Sequence, residues 1–255
     1  MVKIIDINES NVDEEDLFCK KTRKKMFGYQ NKVKWMKERF KEGLKYKVLY
    51  THERNKDISR GMIEYIPGKY NWRGIQAEGW MVIHCIWVVG KAKQKGYGTK
   101  LLQIALEDAK QQGMYGVVGM TAKEKGWLPK KELYVKNGFE KVDEIEPYFE
   151  LYAKIFDENA PKPQFYPIDN DLQQLYPEKE VIIQRSDQCP YITDLAEDLK
   201  STDKNGKLKV IKLNHYKEAQ QNGIYPYGTY CIAYNGRISL YQHRTKKELI
   251  SLLNN

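Results

Sequence analysis

Lys91-Ala92-Lys93-Gln94-Lys95-Gly96-Tyr97-Gly98-Thr99-Lys100 sets two glycines among four lysines, a composition suited to holding a phosphate. Glycines let a backbone turn tightly with its N–H groups aligned. The chain enters this stretch through an apolar run, Met81, Val82, Ile83, Cys85, Ile86 and Trp87. It leaves with Leu101, Leu102, Ile104, Ala105 and Ala109 at helical spacing. The pattern predicts a strand, a short loop and an amphipathic helix. The start of such a helix adds unpaired N–H groups and the positive end of its dipole. Lys91, Lys93, Lys95 and Lys100 supply the matching charge.

Three further side chains could carry chemistry. His84 is the polar residue inside the apolar run. An imidazole changes charge near neutral pH and can accept a proton from a reacting group. It reads equally well as a buried histidine bonded to a backbone carbonyl. Glu78, among turn residues at the start of the strand, is a weaker candidate base. Cys189 precedes Pro190 at the start of a helical pattern, where a thiol can ionise more readily.

Which phosphate ligand is meant follows from the spacing. A P-loop requires Gly-Lys-Ser/Thr at a set distance, which is absent. A dinucleotide fingerprint requires a third glycine where Leu101 stands. The segment Lys93-Gln94-Lys95-Gly96-Tyr97-Gly98 resembles instead the coenzyme A loop, Arg/Gln-x-x-Gly-x-Gly/Ala, of the Gcn5-related N-acetyltransferases (GNAT superfamily), with Lys at the first position. Glu132-Leu133-Tyr134-Val135-Lys136-Asn137-Gly138-Phe139 resembles the family's second signature, a helix carrying Leu-Tyr and ending in Gly-Phe. The physics agrees, because Gly138 is a helix stop and Phe139 opens an apolar strand.

The resemblance implies a mixed α/β fold with a splayed central sheet flanked by helices, and acetyl-CoA as co-substrate without a metal. It implies cofactor contacts from Lys93, Gln94, Lys95, Gly96, Tyr97, Gly98 and Thr99. It also implies pantetheine pairing by backbone groups at Ile86, Trp87 and Val88. It makes Tyr134 the acid that protonates the leaving thiolate, the competing reading being a tyrosine that only packs. In the arylalkylamine branch a histidine nine residues before the first motif position acts as base, and His84 holds that place. A water chain without a dedicated base also fits. The asparagine that many members carry after the next strand is missing from residues 122–129, so no residue is assigned there.

The remaining sequence bounds this reading. The chain has 255 residues and a net charge of +9, which suits an anionic cofactor and would also suit nucleic acid or a membrane surface. Neither a membrane nor a nucleic-acid partner is expected. No signal-peptide core, membrane-length apolar run, zinc spacing or disulfide framework is present, which points to a cytoplasmic protein. Asn11 with Glu14 predicts a capped helix running through Leu17, Phe18 and Cys19. Val33, Met36 and Phe40 predict a second helix. Residues 46–52 and 61–66 read as strands, with a turn-rich loop at 67–74. The acceptor is a small-molecule or peptide amine of unassigned identity, and the oligomeric state is open.

Two prolines among polar residues, Pro161 and Pro163, mark a linker. The expected division is an acetyltransferase domain at 1–156, a linker at 157–178 and a smaller α/β domain at 179–255. The last part reads as strand, helix, strand, short helix after Asn214, strand, an Asn235-Gly236 hairpin, return strand, and a helix with a Thr245-x-x-Glu248 capping box. That order resembles a thioredoxin fold. Cys189-Pro190-Tyr191 is similar to the glutaredoxin motif, and Pro226 stands where that fold carries a cis proline. Ile192 replaces the second cysteine, which excludes dithiol exchange. Cys189 therefore has a structural, docking or monothiol redox role. An acetyltransferase with such a tail resembles the YoaP-like acetyltransferases. The alternatives to an enzyme are a partner-binding protein on an inactive GNAT-like scaffold and a monothiol redox module.

Overall fold

The computed structural model describes residues 2–123, 128–146, 149–167, 180–221, 226–234, 237–239 and 246–254. The chain divides into two units. The first comprises Met1–Lys21, Met36–Asn71 and Ile75–Phe165, and the second Thr22–Trp35, Trp72–Gly74 and Tyr166–Asn255. To the expected C-terminal domain the contacts thus add two short segments from the N-terminal half.

The first unit is built on a seven-stranded sheet. Its strands are β1 (Val2–Ile7), β2 (Lys45–Glu53), β3 (Lys56–Pro67), β5 (Met81–Val88), β6 (Gly116–Ala122), β7 (Glu140–Ile145) and β8 (Phe149–Ile155), in the order β1-β2-β3-β5-β6-β8-β7. Between β3 and β5, β4 (Ile75–Gln76) pairs with β9 (Gln164–Phe165). Two helices follow β5 and β6, α2 (Tyr97–Gln111) and α3 (Lys131–Lys136), numbered after α1 (Phe27–Phe40). Helix α2 buries Leu101, Leu102, Ala105, Leu106 and Ala109, a stripe at helical spacing. These pack with Leu49, Ile63, Tyr65, Met81, Ile83, Val117 and Tyr134 in one core. Tyr65 adds a polar tie by donating its hydroxyl to Asp108 of α2.

The N-terminal segment departs from expectation. Residues 9–22 form turns, and the first helix is α1. The Asn11 side chain accepts from Asn8 N–H (2.9 Å) and donates to the Asp6 carbonyl (2.9 Å), so it closes turns and caps no helix. Local side-chain bonds of this kind compete with helix formation. Val12, Leu17 and Phe18 are nevertheless buried. The helix read from Val33, Met36 and Phe40 is α1, which starts six residues earlier at Phe27.

The second unit holds a four-stranded sheet in the order β11-β10-β12-β13: Leu208–Lys212, Val181–Arg185, Tyr230–Tyr234 and Arg237–Ser239. β10 runs parallel to β11 and antiparallel to β12. Helix α4 (Pro190–Lys200) follows β10, α5 (Tyr216–Gln221) follows β11, and α6 (Lys246–Asn254) comes after β13. Pro190 opens α4 at a position where its missing N–H costs nothing. His215, and not the expected Asn214, caps α5: its Nδ1 accepts from Lys217 N–H (3.2 Å), while Glu218 accepts from Asn214 N–H (2.7 Å). The expected Asn235-Gly236 turn and the Thr245 cap lie outside the described residues.

The segments from the N-terminal half are tied into this unit. Gly74 N–H donates to the Pro226 carbonyl (2.8 Å), and Tyr166 N–H donates to the Gly74 carbonyl (2.9 Å). Arg73, buried, donates to the Tyr227 carbonyl (2.6 Å) and Thr229 Oγ1 (2.8 Å) and stacks 4.1 Å from the Tyr227 ring. Trp72 meets Trp35 edge to face at 5.6 Å. Gly28 N–H donates to Asp194 Oδ1 (2.7 Å).

Candidate active site

Strand β5 is attached to β3 along its whole length, to Val88 opposite Gly61. Its parallel pairing with β6 is far shorter: Met81 with Val117, Val82 with Val118 and Ile83 with Gly119. Beyond that rung both strands continue, β5 to Val88 and β6 to Ala122. The sheet therefore forks after Ile83 and Gly119. Among the described residues, backbone groups of β5 that face away from β3, over residues 86–88, have no strand paired to them there. Such groups need hydrogen bonds from another source. Ile86, Trp87 and Val88 all lie on this free run, and Trp87 is 44% exposed with its ring edge against Phe18.

A β-bulge sits at the fork. Tyr65 opposes Ile83 and Glu64 opposes Cys85, so His84 is an extra residue in β5. The bulge reverses the alternation of the strand. Met81 and Ile83 enter the core below α2 before it, and Ile86 and Val88 enter after it. Glu64, flanked by the core residues Ile63 and Tyr65, faces the other side of the sheet. There His84 Nδ1 lies 3.3 Å from Glu64 Oε1, with side chains 0% and 1% exposed. A carboxylate is thus one partner of His84.

Tyr134 reaches the same rung from the opposite face. It lies in α3, within the core cluster, stacked on Tyr152 at 6.1 Å. A Cβ on Gly119 would overlap its hydroxyl and ring, so the absent side chain of Gly119 makes the space the phenol fills. The end of α3 fixes this placement. Phe139 N–H donates to the Tyr134 carbonyl (3.1 Å) and Gly138 N–H to the Val135 carbonyl (2.9 Å), the two bonds of a Schellman stop, with Gly138 at φ +75°. The Phe139 ring lies 5.2 Å from Tyr134.

The loop after β5 turns through a short 3₁₀ segment, Gly90–Ala92, then Gln94 at φ +61° and Gly96 at φ +78°. Gly96 caps α2 with no side-chain hydrogen bond, and Lys100 N–H is bonded to its carbonyl at 3.0 Å. The amides of Tyr97, Gly98 and Thr99 precede that bond in the first turn of α2. Among the described residues nothing lies within 4 Å of where a Gly96 Cβ would be, which leaves room there for a ligand. Gly98 has a different reason: a Cβ there would press on Leu133 Cδ1 at 3.3 Å, so its absence lets α3 approach α2. Lys91, Lys93, Lys95 and Lys100 are exposed around the turn. Arg60, bonded to Glu53 through two nitrogens (2.9 and 2.7 Å), braces the loop base, its carbonyl accepting from Val89 N–H at 2.8 Å. The Arg60 guanidinium, helped by Thr51, holds the Glu53 carboxyl down at about 2. An anionic, phosphate-bearing group fits these residues.

The structure brings together His84, Tyr134 and the free run of β5, with the loop next in the chain. It leaves Glu78 apart. That residue is exposed before β5, at the end where β5 and β6 are still paired. Within the loop at 122–129, residues 124–127 are outside the described set. Cys189 precedes α4 in the second unit without a side-chain capping bond. Glu64 was missed from the sequence, although a lone carboxylate between Ile63 and Tyr65 was the available signal. Among the described residues no cluster of three potential ligands could hold a metal ion, and no helix is long and apolar enough to cross a membrane.

Comparison with known proteins gives three findings. The sequence pattern of the Acetyltransferase (GNAT) family matches residues 19–139. An uncharacterised N-acetyltransferase from Bacillus subtilis (strain 168), YoaP, is 31% identical over 255 residues, covering 98% of each chain. Solved structures that resemble the chain include a GNAT family acetyltransferase from Brucella melitensis in complex with acetyl-CoA, 16% identical with a TM-score of 0.38 over 65% of this chain and 96% of that one. An IAA acetyltransferase from Bacillus cereus ATCC 14579 is 19% identical, with a TM-score of 0.40 over 61% and 100%.

Proposed function

This chain belongs to the GNAT acetyltransferase family, and we propose that it moves the acetyl group of acetyl-CoA to a primary amine by direct attack, with His84 as base and Tyr134 as acid. One observation carries the assignment: the sheet forks at the Ile83–Gly119 rung, and the two side chains reach that rung from opposite faces. An acetyl thioester held in the fork would have its carbonyl between them. The incoming amine then loses its proton on the His84 side, and the departing thiolate gains one on the Tyr134 side. Lys93, Gln94, Lys95, Gly96, Tyr97, Gly98 and Thr99 hold the pyrophosphate with amides and charge. The unpaired backbone at Ile86, Trp87 and Val88 receives the pantetheine amides. Holding both reactants in one geometry supplies much of the acceleration.

The acceptor is a small-molecule or peptide amine, and the reaction belongs in the cytoplasm. The transferase is assigned to residues 1–156, followed by a linker at 157–178. The tail is read as thioredoxin-like, supported by its strand order and by Cys189-Pro190 opening α4. The test is release of free CoA from acetyl-CoA across a panel of amines, beside Tyr134→Phe. Turnover that falls about 100-fold or more in the variant, with acetyl-CoA binding kept, is expected. Unchanged turnover in Tyr134→Phe would remove the acid role, and absence of acetyl-CoA binding would overturn the loop assignment.

A further inference from the structure

Glu64 stands in β3 among buried apolar neighbours, Met62, Ile63, Tyr65 and Ile66. A carboxylate in such a place is costly unless another group compensates it. One group beside it is His84, whose Nδ1 lies 3.3 Å away. The bulge makes this contact, because His84 and Cys85 together oppose the single residue Glu64. The strand thus departs from regular pairing at His84, beside the fork.

A neutral imidazole carries its proton on one nitrogen, and the hydrogen bond made by that nitrogen decides which. A carboxylate against Nδ1 keeps the proton there and leaves Nε2 bare. We propose that Glu64 is a positioning residue of acetyl transfer, holding His84 as the Nδ1–H tautomer so that Nε2 is the atom that takes the proton from the amine. The proposal rests on His84 being the base. In the step, the N–C bond forms and the C–S bond breaks. The amine proton goes to His84 Nε2, and the Tyr134 proton goes to the thiolate. Glu64 remains a carboxylate throughout, accepting from Nδ1–H and stabilising the imidazolium. This arrangement accounts for a charge buried in a strand where an apolar side chain would pack as well.

The first readout is ¹⁵N NMR of histidine-labelled full-length protein at about pH 8.5, above the ordinary imidazole range. His84→Gln identifies the resonance. The expected state is Nδ1–H with bare Nε2, kept in Glu64→Gln, whose amide oxygen can still accept, and lost in Glu64→Met. The Nε2–H tautomer, or a doubly protonated ring, would overturn the proposal. The second readout is kinetic, with tryptamine, spermidine, free lysine and a tetrapeptide as acceptors. Glu64→Met should lower kcat at least about tenfold, yet no more than His84→Gln does, with KM for acetyl-CoA unchanged. The double variant should match His84→Gln, since one residue acts through the other. A double variant that loses the product of the two single effects would overturn the positioning role. Full activity of His84→Gln would instead remove the base assignment, and the two failures are told apart. If no amine on this panel turns over, the tautomer alone decides.

Discussion

Gly119 leaves no room for a methyl group, because the Tyr134 phenol occupies that space. Gly119→Ala should therefore move the phenol away from the fork. We expect kcat to fall about tenfold or more while Tm drops by an amount matching about 1–3 kcal/mol, the usual cost of overpacking. Steady-state kinetics and thermal unfolding check this, and an alanine variant with normal kcat would show that the ring's position is unimportant. Burial also governs the thiols. The Cys231 thiol is fully buried and its pKa is pushed well up. Iodoacetamide should leave it unmodified in native protein at neutral pH, while Cys19, Cys85 and Cys189, all partly exposed, are the sites open to reaction. Peptide mass spectrometry after brief treatment reads the pattern. At this scale the sequence pointed to several residues of the candidate site. Gly96, Gly98, Tyr134 and His84 were visible because each sits in a local pattern. Glu64 was not, because its meaning depends on strand β5 and on a bulge that no local pattern encodes.

The loop and the helix it opens act as one element. Gly96 at φ +78° is a conformation that costs an L-residue roughly 1–2 kcal/mol. Gly96→Ala should raise the Kd for acetyl-CoA severalfold with little effect on Tm if strain is relieved by moving the loop. Isothermal titration checks it, and an unchanged Kd would mean that the amides of this turn do not contact the cofactor. The clamp below the loop has a pH signature. Glu53, held at about 2 against an ordinary 4.5, contributes stability that is present above the ordinary value and lost as pH falls through about 2. The Tm difference between wild type and Glu53→Gln should then be largest near neutrality and shrink from pH 4.5 downward. A difference that is constant with pH would mean that the charge of Glu53 is irrelevant to the brace. Elements with a local signature were legible, as Gly138 and Phe139 ended α3 where the pattern placed the stop. The helix expected after Asn11 was not, because Asn8 and Asn11 spend their side chains on turns.

At the scale of the molecule, the segments Trp72–Gly74 and Thr22–Trp35 belong to the second unit although the chain meets them first. Composition suggested a linker at Pro161 and Pro163 but carried no sign of this exchange, since the partners of Arg73 lie more than 150 residues away. Arg73→Met should lower stability by about 1–3 kcal/mol, through loss of the donors that satisfy Tyr227 and Thr229. Urea denaturation reads the change, and an unaffected midpoint would mean that Arg73 is dispensable to the unit.

The exchange of segments also has a consequence during synthesis. Domains commonly fold in the order in which they leave the ribosome. Here the stretch around Trp72 emerges early, yet its hydrogen-bond partners are the residues from Pro226 to Thr229. Arg73 and the backbone beside Trp72 therefore wait for these partners while some 150 further residues are translated. The length of that wait is set by the distance in sequence between Gly74 and Pro226.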